Sequence, residues 1–501
     1  MFLVALYSCI FWSSFNFIAP IMAGGYITSE LGGSTDIASY DITFFGLGNA
    51  CIFPVGKIIE GRLGKTDALF FFVLMFSIIT LCIALSPTFP FFVIFRFISG
   101  LVSGIFFSFS LNLINQLQEE YKKKRTSAFL GFLVSVSPTL GACFGGWISY
   151  DYNWRWIFLL QLPFLALTLC VIHRFRASLR EPVTHVPFDK LGYILYLLSI
   201  CPLTIAVCLG QELDWLRSPL ICYLLGISLV VFPFFVLWEL RHKYPLIELR
   251  LFRVPAFSIS VFSIFLLYSA YLGMVVLLSS WLHLDVNYTP LWIAFLMLHM
   301  LIAATLLFIF IIKWMEKTHP FLPILFAIAA FAISSFYSSY FNAEINFERI
   351  AISRIFAGFG LAFFFFPLLT IALNSVPLEQ RTQANAIFQS ARILGGGLGV
   401  AFYTTVWLRR KVFYHDRLGS SLTDYSELTS NVFETLSFFH EKGLAAKELL
   451  NGALNKQSTV LGLADCFYLM GWLMTALFIM IFFFSIKGLS AYYRERLWGQ
   501  R

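Results

Sequence analysis

Apolar residues come in long unbroken blocks along this chain, parted by short clusters of charge, proline or glycine. Met1–Ser29, Ala68–Phe95, Thr126–Tyr150, Pro219–Trp238, Pro255–Leu282, Pro320–Ala343 and Cys466–Ile486 contain no Asp, Glu, Lys or Arg. A helix needs about 20 apolar residues to cross the hydrocarbon core of a bilayer, and these blocks have that length. Walking from break to break predicts fourteen spans, near 3–24, 38–59, 67–86, 89–114, 127–149, 154–173, 191–210, 219–239, 256–281, 290–312, 320–341, 350–373, 383–408 and 461–486. Pro87 and Pro90 part the third from the fourth, and Gln211–Ser218 parts the seventh from the eighth. The first block reads as a retained span. It lacks the basic start and small-residue cleavage pattern of a secretory signal, and its apolar part is too long.

Composition changes the picture only by excluding alternatives. The 501 residues are 59% hydrophobic and 12% charged, with a mean hydropathy of +0.80, whereas a soluble domain is about one-quarter charged. The chain is therefore read as an all-α polytopic membrane protein. All nine cysteines lie in or at the ends of apolar blocks, where they read as small packing residues rather than a disulfide framework or zinc site. No metal, cofactor or catalytic group is nominated.

Charge orients the spans. With the N-terminus inside, 22 of the 35 Lys and Arg fall in inner segments, and only Arg155, Arg217 and Arg349 fall in short outer loops. This asymmetry is the positive-inside signal. It predicts both termini in the cytoplasm and segment 409–458 outside. The net charge of +8 then reflects orientation and calls for no nucleic-acid partner. Within 409–458, Leu428, Val432, Phe433, Leu436 and Phe439 recur at helical spacing, which predicts a small hairpin capping the outer mouth. In the stretch NWRWIFLLQLP, Trp154 and Trp156 bracket Arg155 ahead of Pro163. This is the pattern of rings at headgroup level around a wet charge.

The chain also repeats itself. RFISGLVSGIFFSF at 96–109 matches RIFAGFGLAFFFF at 354–366, KRTSA at 124–128 is echoed by QRTQA at 380–384, and GACFGG at 141–146 by GGGLG at 395–399. Four features recurring in order pair spans 4–5 with spans 12–13. The simplest organisation is a six-helix bundle over 1–180, two inserted helices over 181–253, and a second six-helix bundle over 254–501. Repeated halves around a central site are a transporter architecture.

At these residues the sequence resembles the fourteen-helix drug/proton antiporters (EmrB/QacA type) of the major facilitator superfamily. NWRWIFLLQLP is similar to the W-x-W-I-F-x-x-N-x-P signature, with Gln161 in place of Asn. GQELDW at 210–215, LWELRHKYPLIELRLF at 237–252, QSARILGGGLG at 389–399 and NFIAP at 16–20 extend the likeness over nearly the whole chain. The resemblance implies a major facilitator fold in a bacterial inner membrane and proton-driven export of amphipathic drug-like molecules. It also implies docking of a periplasmic adaptor of the EmrA kind at 409–458, although a mere lid there fits the sequence equally.

Charges at membrane depth mark pathways or buried pairs. By resemblance Arg96 lines the central cavity and couples protons, with a structural arginine bonded to backbone carbonyls as the alternative, and Asn16 and Gln389 lie beside the pathway. For Arg354 and Arg392 a functional and a clamping role stay open, and for Asn16 so does ordinary helix–helix bonding. His299 reads as a satisfied lone histidine in preference to a proton relay. The acid usual in span 1 would fall at Phe11, so a proton site is expected at Asp41 or Asp465 instead. Gly56, Glu60, Arg62, Gly64 and Lys65 resemble the inner gate loop, with the acid one residue out of its usual place. Pro138, Gly141, Gly145 and Gly146 resemble the seal in span 5, with Ala142 replacing a proline. Two alternatives remain beside proton-coupled export: a transporter with another substrate or coupling, which Phe11 favours, and a membrane scaffold or lipid-handling protein.

Overall fold

The computed structural model describes residues 1–33, 40–117, 120–176, 187–317, 321–377, 380–422, 431, 434 and 444–498. The helices in the first half of the chain are α1 (Phe2–Ile18), α2 (Gly24–Leu31), α3 (Tyr40–Ile52), α4 (Gly56–Leu63), α5 (Lys65–Ala84), α6 (Phe89–Leu117), α7 (Glu120–Asp151), α8 (Trp156–Leu159) and α9 (Gln161–Arg176). An inserted pair follows, α10 (Lys190–Leu209) and α11 (Pro219–Arg241). The rest comprises α12 (Pro255–Leu284), α13 (Pro290–Lys317), α14 (Phe321–Ser338), α15 (Phe347–Phe363), α16 (Phe365–Asn374), α17 (Arg381–Gly419) and α18 (Leu444–Trp498). The described residues form helices without strands, an all-α architecture. Outward faces carry bare Leu, Val, Phe and Tyr, as on α11 with Tyr223, Leu229, Val230 and Phe234, a surface that suits lipid and not water.

Twelve described stretches are long and apolar enough to cross a membrane. The other two expected spans are helical for different reasons of sequence. Span 2 is broken at Phe53–Val55 around Pro54, because proline lacks the N–H that continues the ladder. Span 13 lies in α17, whose glycines, Arg392 and terminal charges dilute its apolar character. Span 1 also differs from expectation. It passes through a tight turn at Ala19–Ala23 and continues as α2 to Leu31.

In the segment 409–458, α17 runs on to Gly419 and α18 starts at Leu444, so two membrane helices extend beyond their apolar parts. No glycine or proline interrupts WLRRKVFYHDRL, and charge alone does not stop a helix. His415 Nε2 lies 3.2 Å from Asn451 Oδ1 between the two extensions. Leu428, Val432, Phe433, Leu436 and Phe439 lie outside the described residues, as does the expected boundary at 180–181.

Helices pack at glycine contacts within and between the bundles. A Cβ on Gly141 or Gly145 would stand 2.5 Å from the Phe15 carbonyl oxygen or 2.1 Å from that of Ala19, and one on Gly146 would stand 2.6 Å from that of Pro290. So α7 lies backbone to backbone against both the turn in the first span and the start of α13. Pro138 sits inside α7 one turn earlier. The inserted pair is held at a proline. Pro54 leaves the Ala50 carbonyl without its i+4 donor, and the Tyr196 hydroxyl of α10 donates to that oxygen at 2.8 Å. Tyr193 donates to the next carbonyl, Cys51, at 3.3 Å, and the Cys51 and Cys201 sulfurs are 3.4 Å apart.

Candidate functional site

Asp41, Arg96 and Asn16 meet inside the first bundle, where Arg96 and Asn16 are 0% exposed and Asp41 is 4% exposed. The cause is two glycines. A Cβ on Gly100, one turn after Arg96, would stand 2.2 Å from the Phe45 carbonyl oxygen, and one on Gly48 would stand 2.2 Å from that of Phe97. α3 and α6 therefore touch along their backbones, and the side chains one turn beyond the contact fall opposite each other.

Arg96 spends its fork on both neighbours. Nε donates to Asp41 Oδ1, and Nη2 donates to Asp41 Oδ2 at 3.2 Å. Nη1 donates to Asn16 Oδ1 at 3.0 Å, and Nη2 also donates to the Asn16 main-chain oxygen at 2.9 Å. That oxygen is the carbonyl which Pro20, four residues on, cannot satisfy. Arg96 thus supplies the donor missing from the broken first span. Asn16 Nδ2 donates to Gln161 Oε1 at 3.3 Å, and Gln161 Nε2 is fixed on the Ile157 carbonyl at 2.9 Å. The Phe45 ring lies 4.5 Å from the guanidinium, a desolvated cation–π contact. Gln161 was seen in the sequence only as a departure from a signature; here it closes the network.

Phe11 packs among Trp12 and Phe15 and brings no charge to this place. Asp465 stands apart. It pairs with Arg410, whose Nη2 also reaches the Tyr414 hydroxyl at 3.3 Å, where α18 and α17 extend past their apolar parts. Both side chains are partly exposed, and Asp465 does not join the buried acid. Nearby, at the end of α12, burial pushes the Asp285 carboxyl above the usual carboxylate range against the opposing pull of Lys411, Thr459 and Lys456.

In the second bundle, Arg392 Nε donates to Gln389 Oε1 at 2.9 Å and Nη1 donates to the Tyr268 hydroxyl at 3.1 Å. Its guanidinium lies 5.6 Å from the Phe107 ring of α6, so it sits where the halves face each other. Gln389 Nε2 has no partner. Arg354 donates through Nη2 to Ser338 and Ser353 at 3.1 and 3.0 Å. His299 is half-buried, with Nδ1 2.8 Å from the Phe295 carbonyl.

The tryptophan signature is corrected in part. Trp156 is exposed as expected, but Trp154 is 1% exposed and its indole donates to Glu30 at 2.6 Å. Arg155 binds the same carboxylate at 3.0 Å and donates to the Ala84 and Ser86 carbonyls, which the end of α5 leaves unpaired. The motif is a clamp between helix ends, and Pro163 follows in the first turn of α9. In the loop at 56–65, Glu60 pairs with Lys65 at 3.2 Å, while Arg62 is exposed. Gly64 turns the chain at φ 75°, and Gly56 opens α4.

A cavity of about 960 Å³ lies between the two bundles and the inserted pair. Phe109, Tyr196, Phe232, Phe235 and Phe265 supply apolar walls, and Ser108, Asn112, Asn385 and Ser390 supply polar points. Ser108 Oγ and Asn385 Oδ1 have no partner. Glu60 and Lys243 also line it, whereas the Asp41–Arg96 network does not. A large apolar chamber with a few unspent polar groups suits an amphipathic guest.

Comparison with known proteins agrees with this architecture. The model of the Major Facilitator Superfamily matches residues 1–402. The multidrug export protein EmrB of Escherichia coli (strain K12) is 28% identical over 470 residues, covering 93% of this chain and 90% of that protein. The fatty acid resistance protein FarB of Neisseria gonorrhoeae is 27% identical over 455 residues, covering 90% and 88%. Among solved structures, a POT family transporter superposes with a TM-score of 0.60 at 17% identity, over 97% of this chain and 96% of that one. The human organic anion transporter MFSD10 superposes with a TM-score of 0.57 at 12% identity, over 94% and 97%.

Proposed function

Because the chain belongs to the major facilitator superfamily, we propose that this multi-pass membrane transporter exports amphipathic small molecules in exchange for protons. One observation carries the coupling: the buried carboxylate of Asp41 is held by Arg96, and Arg96 also holds the carbonyl freed at the break in the first span. Protonating Asp41 removes the charge that fixes the guanidinium and leaves Asn16 as its remaining partner. Arg96 then shifts, and the first span, which Gly141 and Gly145 bind to α7, shifts with it. Proton occupancy becomes a change in helix packing, and alternating access needs such a change. This route replaces the acid that Phe11 does not supply.

The cavity beside the inserted helices is the substrate chamber in this reading. Its mix of phenylalanines and unpartnered amide and hydroxyl groups supports an amphipathic guest, as do relatives named for fatty acid resistance and multidrug export. The basic asymmetry supports both termini inside, and the bacterial relatives support an inner membrane. The helical extensions over 409–419 and 444–458 are then the outer surface available to an adaptor, and the Glu60–Lys65 turn and the α7 glycines are the inner and outer closures.

The test is transport in proteoliposomes with an imposed pH gradient, using a long-chain fatty acid, an aromatic weak acid and a lipophilic cationic dye as probes. Wild type is expected to accumulate at least one probe on the acidic side. Asp41→Asn should still bind that probe but ignore the gradient, and Asp465→Asn should behave as wild type. Full pH-driven transport by Asp41→Asn would sink the coupling.

A further inference from the structure

We propose that Arg354 binds a small monovalent anion, of the size of chloride, inside the second bundle. Two parallel contacts lead there. Gly100 meets the Phe45 carbonyl oxygen, and Gly358 meets that of Met300, with Cβ positions at 2.2 and 2.4 Å. The packing of α15 on α13 therefore repeats that of α6 on α3. Arg96 and Arg354 each precede their glycine by one turn. On α3 the residue one turn before the contact is Asp41; on α13 it is Leu296, which is fully buried. The second bundle keeps the arginine and lacks the acid.

Arg354 is accordingly a 0% exposed cation that pairs with no carboxylate among the described residues. Its Nη2 is satisfied by Ser338 and Ser353, while Nε and Nη1 have no partner. Arg has five N–H donors and remains charged in proteins. A buried charge without a counter-charge is strongly unfavourable, and buried donors are normally bonded. Water could occupy the donors but would leave the charge uncompensated. An anion at the Nε edge takes up a free donor and compensates the charge, in the electrostatic role that Asp41 fills at the same edge of Arg96 in the first bundle. The Ser338 and Ser353 hydroxyls, 2.6 Å apart, give it a polar wall, and the complete burial of the guanidinium favours a small ion. This assignment does not depend on what the protein transports.

The experiment is thermal unfolding of the full chain in detergent, read by thiol-dye labelling of buried cysteines such as Cys9 and Cys466. Chloride is compared with gluconate at equal ionic strength after dialysis. Wild type should melt about 2–4 °C higher in chloride, with saturation, as expected for a ligand that binds only the folded state. Ser338→Ala should need more chloride for the same shift. Arg354→Gln should lose the shift. Leu296→Asp, which supplies the missing carboxylate, should melt equally in both salts even where Arg354→Gln does not fold. Wild-type melting that ignores the anion overturns the proposal, and so does a chloride shift of wild-type size in Leu296→Asp or in folded Arg354→Gln.

Discussion

Arg96→Ala is expected to abolish transport and to lower stability by about 3–5 kcal/mol, the cost of leaving one partner of a buried ion pair alone. The stranded group is Asp41, with the Asn16 carbonyl as a second loss, because Pro20 offers that oxygen no N–H. Arg96→Lys keeps the charge but not the planar fork. It can hold Asp41 or the Asn16 backbone but not both, so it should insert and fold yet transport no more than empty vesicles. The double variant Asp41→Asn/Arg96→Gln removes the stranded charge and should recover most of the lost stability without recovering transport. Melting temperature and pH-driven uptake of the four proteins separate these effects. A fully active Arg96→Lys would mean that charge alone suffices.

The second large effect belongs to Gly100→Val. The first added carbon would stand 2.2 Å from the Phe45 carbonyl oxygen, and backbone cannot rotate away as a side chain can. Overpacking alone costs about 1–3 kcal/mol. Here the forced separation of α3 from α6 also parts Asp41 from Arg96. The variant should lose most of its monodisperse yield in detergent. Gly226→Ala on α11 is the matched control, since nothing lies within 4 Å of its Cβ position. It should melt at or slightly above wild type, because Ala favours helix over Gly. Equal behaviour of the two variants would refute the close contact.

These expectations show which parts of the molecule the sequence disclosed. The spans were legible because a bilayer demands long uncharged helices, and the intramembrane arginines because charge at that depth needs a reason. Asn16, Asp41 and Arg96 were each singled out as isolated residues. Their meeting was not legible, since it depends on backbone contact at Gly48 and Gly100 between segments some fifty residues apart. Gln161 was hidden for the same reason, its partner lying 145 residues away. Trp154 was misread because interfacial and clamped tryptophans share one local pattern, and only Glu30 distinguishes them. The helix ends at 408 and 461 were misplaced because the end of an apolar run marks where lipid stops, not where a helix stops. Asp465 shared with Asp41 the sequence feature of an acid between apolar runs, yet Arg410 on the adjacent extension holds it near the surface.

Proton release on substrate binding tests the central claim most directly. Purified protein in weakly buffered detergent is mixed with a probe found to be transported, and a pH indicator reports the protons set free. Wild type should release protons in proportion to probe bound, up to about half a proton per probe at the pH where Asp41 of the probe-free protein is half-protonated and more just below it, and Asp41→Asn should bind the probe and release none. Release from Asp41→Asn equal to wild type, or none from wild type at any pH, would contradict coupling through the Asp41–Arg96 pair.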